Sequence, residues 1–515
     1  QMSTNNYRGQ NYNSLKKDLL KKGEVFTDPE FPTTDKSLVS TTSDEEIQWK
    51  RPKELNKAPK LVVEGVSCNY MGQGEIGAPW LISACAAIYR DKKLWTKILP
   101  NLKDQEWTEK EQPGIFLFRF WRNEDWTEVV VDDNLPTKNG ELISCNSRFK
   151  NEFWPALLEK AYAKFYGGYE TMSKVSLEDG LMDLTGGVPE RLEVNNLEDV
   201  DLLKVMSEGH DRKDIIICTS ENSEPKENGL QPGQHYIVTG VLDLENKGQQ
   251  QKEGGENELS RLQLIRMQNP RGKAEWTGAW ADNSTEWNAF SPKEREKMGI
   301  KFEQEGEFWM SIKDFKKNFD VITCCHFYPT SGKIKWSNAS YKGQWTVADP
   351  QTINDRSGGG PENQTHLMNP QYVFDITGDE QELVANLVQY EDPGSAQNKE
   401  EPCSIGFQIT KVETNRSYRR HIKAQVVETS EFLPKQSILA KVTLKKGRYV
   451  VIPSTYNPSH VSTFLLRLFS THPLKSRELT LDCPEPPGCF GKAPVIVSKI
   501  TIIAVTELEE IARKI

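Results

Sequence analysis

Gln73-Gly-Glu-Ile-Gly-Ala-Pro79-Trp80-Leu81 is the stretch on which the fold turns. Proline is favoured at the first position of a helix, where its missing N–H would have no partner anyway and its φ is preset. From Pro79 onward Trp80, Leu81, Ala84, Cys85 and Ile88 fall at helical spacing, so a helix is expected to open at Pro79. A second helix is expected over 152–165, with Phe153, Leu157, Leu158, Ala161 and Tyr162 on one face. Between them Ile115-Phe-Leu-Phe-Arg-Phe and Glu128-Val-Val-Val-Asp read as strands. Residues 45–187 thus form a mixed unit. Residues 1–44 ahead of it are polar, with a short helical pattern over 12–20.

Downstream the pattern changes. Residues 188–333 are strand-rich, with Ile215-Ile-Ile-Cys, His235-Tyr-Ile-Val-Thr and Leu262-Gln-Leu-Ile-Arg-Met as the clearest runs, and a polar surface loop is expected over 245–258. Residues 334–480 read almost entirely as short strands between Gly, Pro and Asn turns: Gln371-Tyr-Val-Phe, Ile405-Gly-Phe-Gln-Ile, Arg448-Tyr-Val-Val-Ile-Pro, Phe464-Leu-Leu-Arg-Leu-Phe. Regular short strands predict a β-sandwich. The last part, 481–515, is a Pro-rich link, Cys483-Pro-Glu-Pro-Pro-Gly, followed by one or two strands over 495–505.

A chain of 515 residues implies three or more domains. Lys+Arg 65 against Asp+Glu 74 leaves a net charge of −9, which gives no electrostatic ground for nucleic-acid binding. No apolar run approaches the roughly 20 residues a membrane helix needs, and the polar N-terminus lacks a signal-peptide core. The nine cysteines are odd in number and scattered, without zinc spacing. Reduced thiols in the cytoplasm are the simplest reading, and the four Asn-x-Ser/Thr triplets are read as chance.

Several ordered strings resemble the calpain family. Besides the opening stretch they are Asn151-Glu-Phe-Trp-Pro-Ala-Leu-Leu-Glu-Lys-Ala-Tyr-Ala-Lys, Asp183-Leu-Thr-Gly-Gly, Asn269-Pro-Arg-Gly-Lys-Ala-Glu-Trp-Thr-Gly-Ala-Trp, Gly306-Glu-Phe-Trp-Met-Ser, Asn369-Pro-Gln-Tyr and Tyr449-Val-Val-Ile-Pro-Ser-Thr. The resemblance implies an α+β architecture: a two-lobed papain-like protease core (45–187 and 188–333), then a C2-like antiparallel β-sandwich (334–480). Residues 1–44 would be an N-terminal anchor segment. The ending resembles calpains that lack EF-hands and carry a C-terminal C2 domain, so 481–515 would be a linker and the start of a truncated one.

The resemblance also marks the positions where chemistry belongs. A papain-like site needs a thiolate, an imidazole to activate it, an Asn to orient the imidazole and donors for the oxyanion. The family string Gln-Gly-x-x-Gly-x-Cys-Trp has Pro79 at the Cys position here. Proline offers neither a nucleophile nor the backbone N–H that serves as one oxyanion donor. Gln73, matching the other donor, is retained. The family's Gly-His-Ala-Tyr reads Gly233-Gln234-His235-Tyr236, so Gln234 holds the His position and cannot act as a base near neutral pH. His235, one residue late on a strand, is expected to face away from the cleft. Asn269 matches the orienting Asn, with a turn role as the alternative, and Arg271 stands where the family has a cleft Trp. Cys85, six residues into the same helix, reads as a core thiol.

By the same resemblance calcium would be held in the second lobe by Glu275, Asp282, Glu305 and Glu307, with the carbonyl of Glu303. The first-lobe site is weakened by Tyr70 at its Asp position, leaving Gly65, Val63 and Asp179. In the sandwich Arg416, Arg419, Arg420, His421 and Lys423 form a basic cluster that could touch anionic lipid or an acidic protein partner, or be an ordinary charged face. The expected function is a degenerate, non-catalytic calpain relative acting as a binding or regulatory scaffold for protein partners. The alternatives are a calcium-dependent cysteine-type endopeptidase, and a purely lipid- or cytoskeleton-binding module.

Overall fold

The computed structural model describes residues 4–38, 47–63, 71–107, 112–220, 228–245, 261–272, 275–282, 284–300, 306–332, 335–348, 355–390 and 402–482. The first lobe contains α1 (Tyr12–Lys22), α2 (Pro79–Tyr89), β1 (Ile115–Arg122), β2 (Asp125–Asp132), α3 (Trp154–Tyr166) and α4 (Leu177–Thr185). Residues 80–88 of α2 are all buried, which marks it as a central helix rather than an amphipathic surface one. Trp80 meets Tyr162 of α3 edge-on at 5.4 Å between ring centroids. Helix α4 approaches the other side of Trp80 at Gly180, where an added Cβ would lie 2.2 Å from the indole. The N-terminal segment is packed on this lobe: Tyr12 of α1 shares a small core with Phe26, Ile115, Leu117 and Val130.

The second lobe comprises β3 (Val188–Glu193), α5 (Asp199–Arg212), β4 (Ile215–Thr219), β5 (His235–Glu245), β6 (Arg261–Gln268), β7 (Glu307–Ser311) and β8 (Val321–His326). They form an antiparallel sheet in the order β7-β6-β5-β4-β8-β3. Alternation along its central strands divides the side chains between two cores. Ile216, Cys218 and Tyr236 pack with Leu202 and Met206 of α5. Ile215, Ile217 and Ile237 point the other way, into the cluster that contains α2. The lobes therefore share a hydrophobic wall, with α2 lying against it.

The third unit has strands β9 (Ser337–Trp345), β10 (Tyr372–Tyr390), β11 (Ile405–Val412), β12 (Gln425–Thr429), β13 (Ser437–Thr455), β14 (Ser462–Ser470) and β15 (Lys475–Glu478). The short strands expected at 371–374 and 448–453 are parts of two 19-residue strands, β10 and β13. Their ladder shifts register between Ile376 and Glu380. Such an irregularity bends a strand and lets one chain serve both layers of a sandwich. Beyond the shift β10 pairs with β14, before it with β15, and the enclosed core includes Phe374, Leu387, Phe407, Val451 and Leu466. The loop expected at 245–258 lies, but for its first residue, outside the described residues, as do the strands at 495–505.

Candidate active-site cleft

The turn that leads into α2 is built on a buried carboxyl group. Glu159 of α3 reaches beneath it, its Oε2 accepting the backbone N–H of Cys145 at 2.6 Å, and its carboxyl also accepting from the N–H of Ala78. Gly77 sits at φ +98 directly above, where an added Cβ would fall 1.9 Å from Glu159 Oε1. Only glycine tolerates both that φ and that contact. Burial pushes the Glu159 carboxyl up to about 8 against the pull of its two N–H donors.

Pro79 follows at the first helical position and is exposed. Gln73 is exposed on the same turn, and its Oε1 accepts from Arg271 Nη2 across the cleft at 2.6 Å. Arg148 of the first lobe in turn donates to the Arg271 carbonyl at 3.1 Å. Asn269 is buried. Its Oδ1 accepts the N–H of Arg271 at 2.9 Å, and its own N–H donates to the Gly306 carbonyl at 2.8 Å. The first bond is an Asx turn, which sets the direction in which Arg271 leaves the strand.

Gln234 lies half-buried just ahead of β5, and its Oε1 is buried with no hydrogen-bond partner. His235 corrects a sequence expectation. It opens β5 opposite Thr219 and shares a strand face with Ile237, whose side chain joins the cluster around α2. It therefore faces the first lobe and not away from it. The reason is that Gln234 precedes the paired strand, so alternation counted from it does not propagate into β5. Burial, and secondarily the Arg271 cation, push the His235 imidazole down to about 4. A base that weak is neutral at pH 7 and cannot hold a proton taken from a thiol. Cys85 is fully buried, and burial drives its thiol far above the ordinary range, where it is inert.

Among the described residues the carboxylates matched to calcium are engaged by protein groups. Glu275 Oε1 accepts the N–H of Gly306 at 2.9 Å. Glu307 Oε1 lies 3.2 Å from Arg90 Nη1, and its Oε2 lies 3.9 Å from Arg266 Nε. Asp282 is half-buried in the turn before Ser284, and Glu305 and Glu303 lie outside the described residues. Among the described residues no group of three or more His, Cys, Asp or Glu could hold a metal ion. Six to eight oxygens at 2.3–2.6 Å are what calcium takes, and an arginine 3.2 Å from Glu307 does not fit that set. In the first lobe Tyr70 and Gly65 are outside the described residues. Asp179 accepts the Ser176 hydroxyl at 2.7 Å at the start of α4, and Val63 donates its N–H to Glu152.

The basic cluster of the sandwich is split: Arg416 is half-buried, and His421 and Lys423 are exposed. Arg419 and Arg420 are each 2% exposed. Arg419 Nη2 donates to the carbonyls of Leu367, Met368 and Asn369 at 2.7–3.1 Å, and Arg420 donates to Thr410 Oγ1 and the Ile422 carbonyl. These arginines tie loops to the sandwich interior, which adjacent positions in the sequence could not reveal. Arg90 and Glu159 carry no signal in the sequence that marks them. Arg90 stands at a helix end with no local pattern, and Glu159 reads as one more residue of a helical string.

A two-lobed core whose cleft opens at a helix N-terminus, joined to an antiparallel sandwich, defines a cysteine-protease-type core with an appended β domain. The comparisons agree on which one. The family description "Calpain family cysteine protease" matches residues 26–326, and "Calpain large subunit, domain III" matches 341–469. The chain belongs to the calpain family. It is 37% identical to mouse Calpain-5, over 98% of this chain and 82% of that protein. It is 36% identical to Caenorhabditis elegans Calpain-5, over 97% and 82%, and 32% identical to Drosophila melanogaster Calpain-A, over 90% and 57%.

Proposed function

We propose that this chain is a non-catalytic calpain, a binding or regulatory scaffold that engages protein partners through its cleft and sandwich and does not cleave them. The observation that carries the reading is Pro79, exposed at the start of α2 where the family resemblance requires the thiol. Without that thiol there is no acyl-enzyme, and without the proline's missing N–H the oxyanion keeps one donor at most. His235 with its depressed basicity and Arg271 bonded to Gln73 across the cleft point the same way. Calcium has no catalytic part in this reading. A cytoplasmic setting suits the six described cysteines, all free thiols. Anionic lipid is not favoured as a partner, because Arg419 and Arg420 are occupied by backbone carbonyls.

The competing reading is a calcium-dependent cysteine endopeptidase. Purified chain should be incubated with casein and with fluorogenic peptides, in chelator and in millimolar calcium, with and without a thiol-alkylating inhibitor. No hydrolysis above the buffer control is expected in any condition. Calcium-dependent turnover that copurifies with the chain through successive columns would overturn the proposal.

A further inference from the structure

Helix α2 is gripped by the second lobe at both ends. At its N-terminal end the turn residue Gln73 accepts from Arg271. At its C-terminal end the capping residue is Arg90, a cation where the helix dipole favours one. The Arg90 side chain crosses the lobe boundary, and its Nη1 donates to Gln268 Oε1 at 2.7 Å and to Glu307 Oε1 at 3.2 Å. Gln268 and Glu307 face each other across the β6–β7 ladder. Gln268 is 5% exposed. Next to Glu307, Gly306 donates its N–H to Glu275 and accepts from Asn269. One guanidinium thus fixes the strand ends from which Asn269 and Arg271 project.

We propose that Arg90 is a built-in cation: it holds Glu307 against the first lobe in place of a divalent metal, so the two lobes are latched together without calcium. Guanidinium keeps its charge at every accessible pH and offers a planar fork of donors. A calcium ion using Glu307 would have to displace Arg90 and then lie close to both Arg90 and Arg266, against their charge. The latch is partly solvated, with the Arg90 side chain 42% exposed and that of Glu307 19%, so its strength is modest and rests as much on buried Gln268 as on the ion pair. The inference concerns how the core is assembled and stands whether or not the chain cleaves anything.

The test is thermal unfolding of the whole chain in chelator and across a calcium titration to millimolar, for wild type, Arg90→Gln, Arg90→Lys and the double variant Arg90→Gln/Glu307→Gln. Wild type should show a midpoint independent of calcium. Arg90→Gln should unfold about 1–3 °C lower in chelator, the loss expected for a partly exposed strap in a protein of this size. It should also acquire a calcium-dependent rise, because Glu307 is freed and ligand binding to the native state stabilises it by mass action. The double variant should keep the lower midpoint and lose the rise. Arg90→Lys, which keeps the charge but not the fork, should stay unresponsive to calcium, and it carries the test if Arg90→Gln does not fold. Hydrogen exchange over residues 306–311 in chelator gives a second reading, with faster exchange expected in Arg90→Gln. A wild-type midpoint that climbs with calcium overturns the proposal, because Glu307 would then be open to the metal. So does an Arg90→Gln protein with unchanged midpoint and unchanged exchange, because the strap would then bear no load.

Discussion

At the scale of single residues the proposed reading turns on Pro79, which carries no thiol, and on His235, whose imidazole is pushed down to about 4. Pro79 suits the fold because it opens a helix, so the architecture is compatible with the proposed non-catalytic reading. Restoring Pro79→Cys alone should not give hydrolysis. His235 faces the first lobe, but its conjugate acid forms only near pH 4, so it cannot sustain a thiolate–imidazolium pair. The installed thiol should instead titrate as a cysteine without an imidazole partner, lowered from about 8.5 only as far as the helix N-terminus and Arg271 draw it. Alkylation of the variant by iodoacetamide, followed against pH, should show one rise centred in that range. A thiol already reactive at pH 5–6 that loses this reactivity in Pro79→Cys/His235→Ala would mean that His235 activates it. The same electrostatics predict that Arg271→Gln raises the His235 pKa by removing a neighbouring cation. Burial is the larger cause, so the imidazole should remain below the ordinary 6.5. Titration of the His235 ring protons by NMR checks this, and an unmoved pKa would show that Arg271 does not act on it.

At the scale of elements, the start of α2 is set by Glu159, a group of α3 that lies 80 residues away in sequence from Pro79. Its carboxyl is pushed up to about 8 when folded, against about 4.3 in an unfolded chain. The folded state thus binds a proton that the unfolded state has released. This group's contribution is fully present below about pH 4.3 and is lost as pH rises towards 8, at about 1.4 kcal/mol per pH unit inside that window. Glu159→Gln should be the less stable protein at pH 5, since an amide cannot accept both N–H groups as well. The gap to wild type should shrink steadily as pH approaches 8. Urea denaturation at intervals between pH 5 and 8 measures it, and a gap that does not change with pH would mean that Glu159 is not protonated in the fold. None of this was legible beforehand. The helices and strands were, because α2, α3, β1 and the strands of the second lobe carry their periodicity locally. The 19-residue strands β10 and β13 were read as short pieces because their bend at Ile376 interrupts the alternation. The site was legible only as far as residue identities reach. The proposed roles of Pro79 and Gln234 rest on where the family resemblance places them, whereas the direction of His235 and the partners of Glu307 depend on chain register and on a second lobe.

At the scale of the whole molecule the sandwich is docked on the core through several long side chains and an apolar contact, in which Val388 of β10 and Leu465 of β14 join the hydrophobic cluster around α2. Arg467 of β14 donates to the carbonyls of Gly186 and Gly187 at 2.8 and 3.2 Å, and its guanidinium lies over the Trp121 ring at 4.8 Å. Lys441 of β13 meets Glu190 of β3 at 2.6 Å, and Glu190 also bonds His326 at 2.7 Å. Val188 and Trp336 pack with Val384 and Phe469 beside them. The two glycine carbonyls sit just after α4, the helix that backs Trp80, so the sandwich reaches the wall behind α2 through one intermediate element. Arg467 is the polar group that ties this contact to the end of α4. Arg467→Ala removes two hydrogen bonds to backbone carbonyls and a cation–π contact, and leaves those carbonyls to find water in a buried place. Calorimetry should therefore resolve two transitions in Arg467→Ala where the wild type shows a more nearly single one, with the first lobe melting earlier than the sandwich. If the variant unfolds in the same single transition, only shifted down, then Arg467 stabilises one unit and does not couple the two.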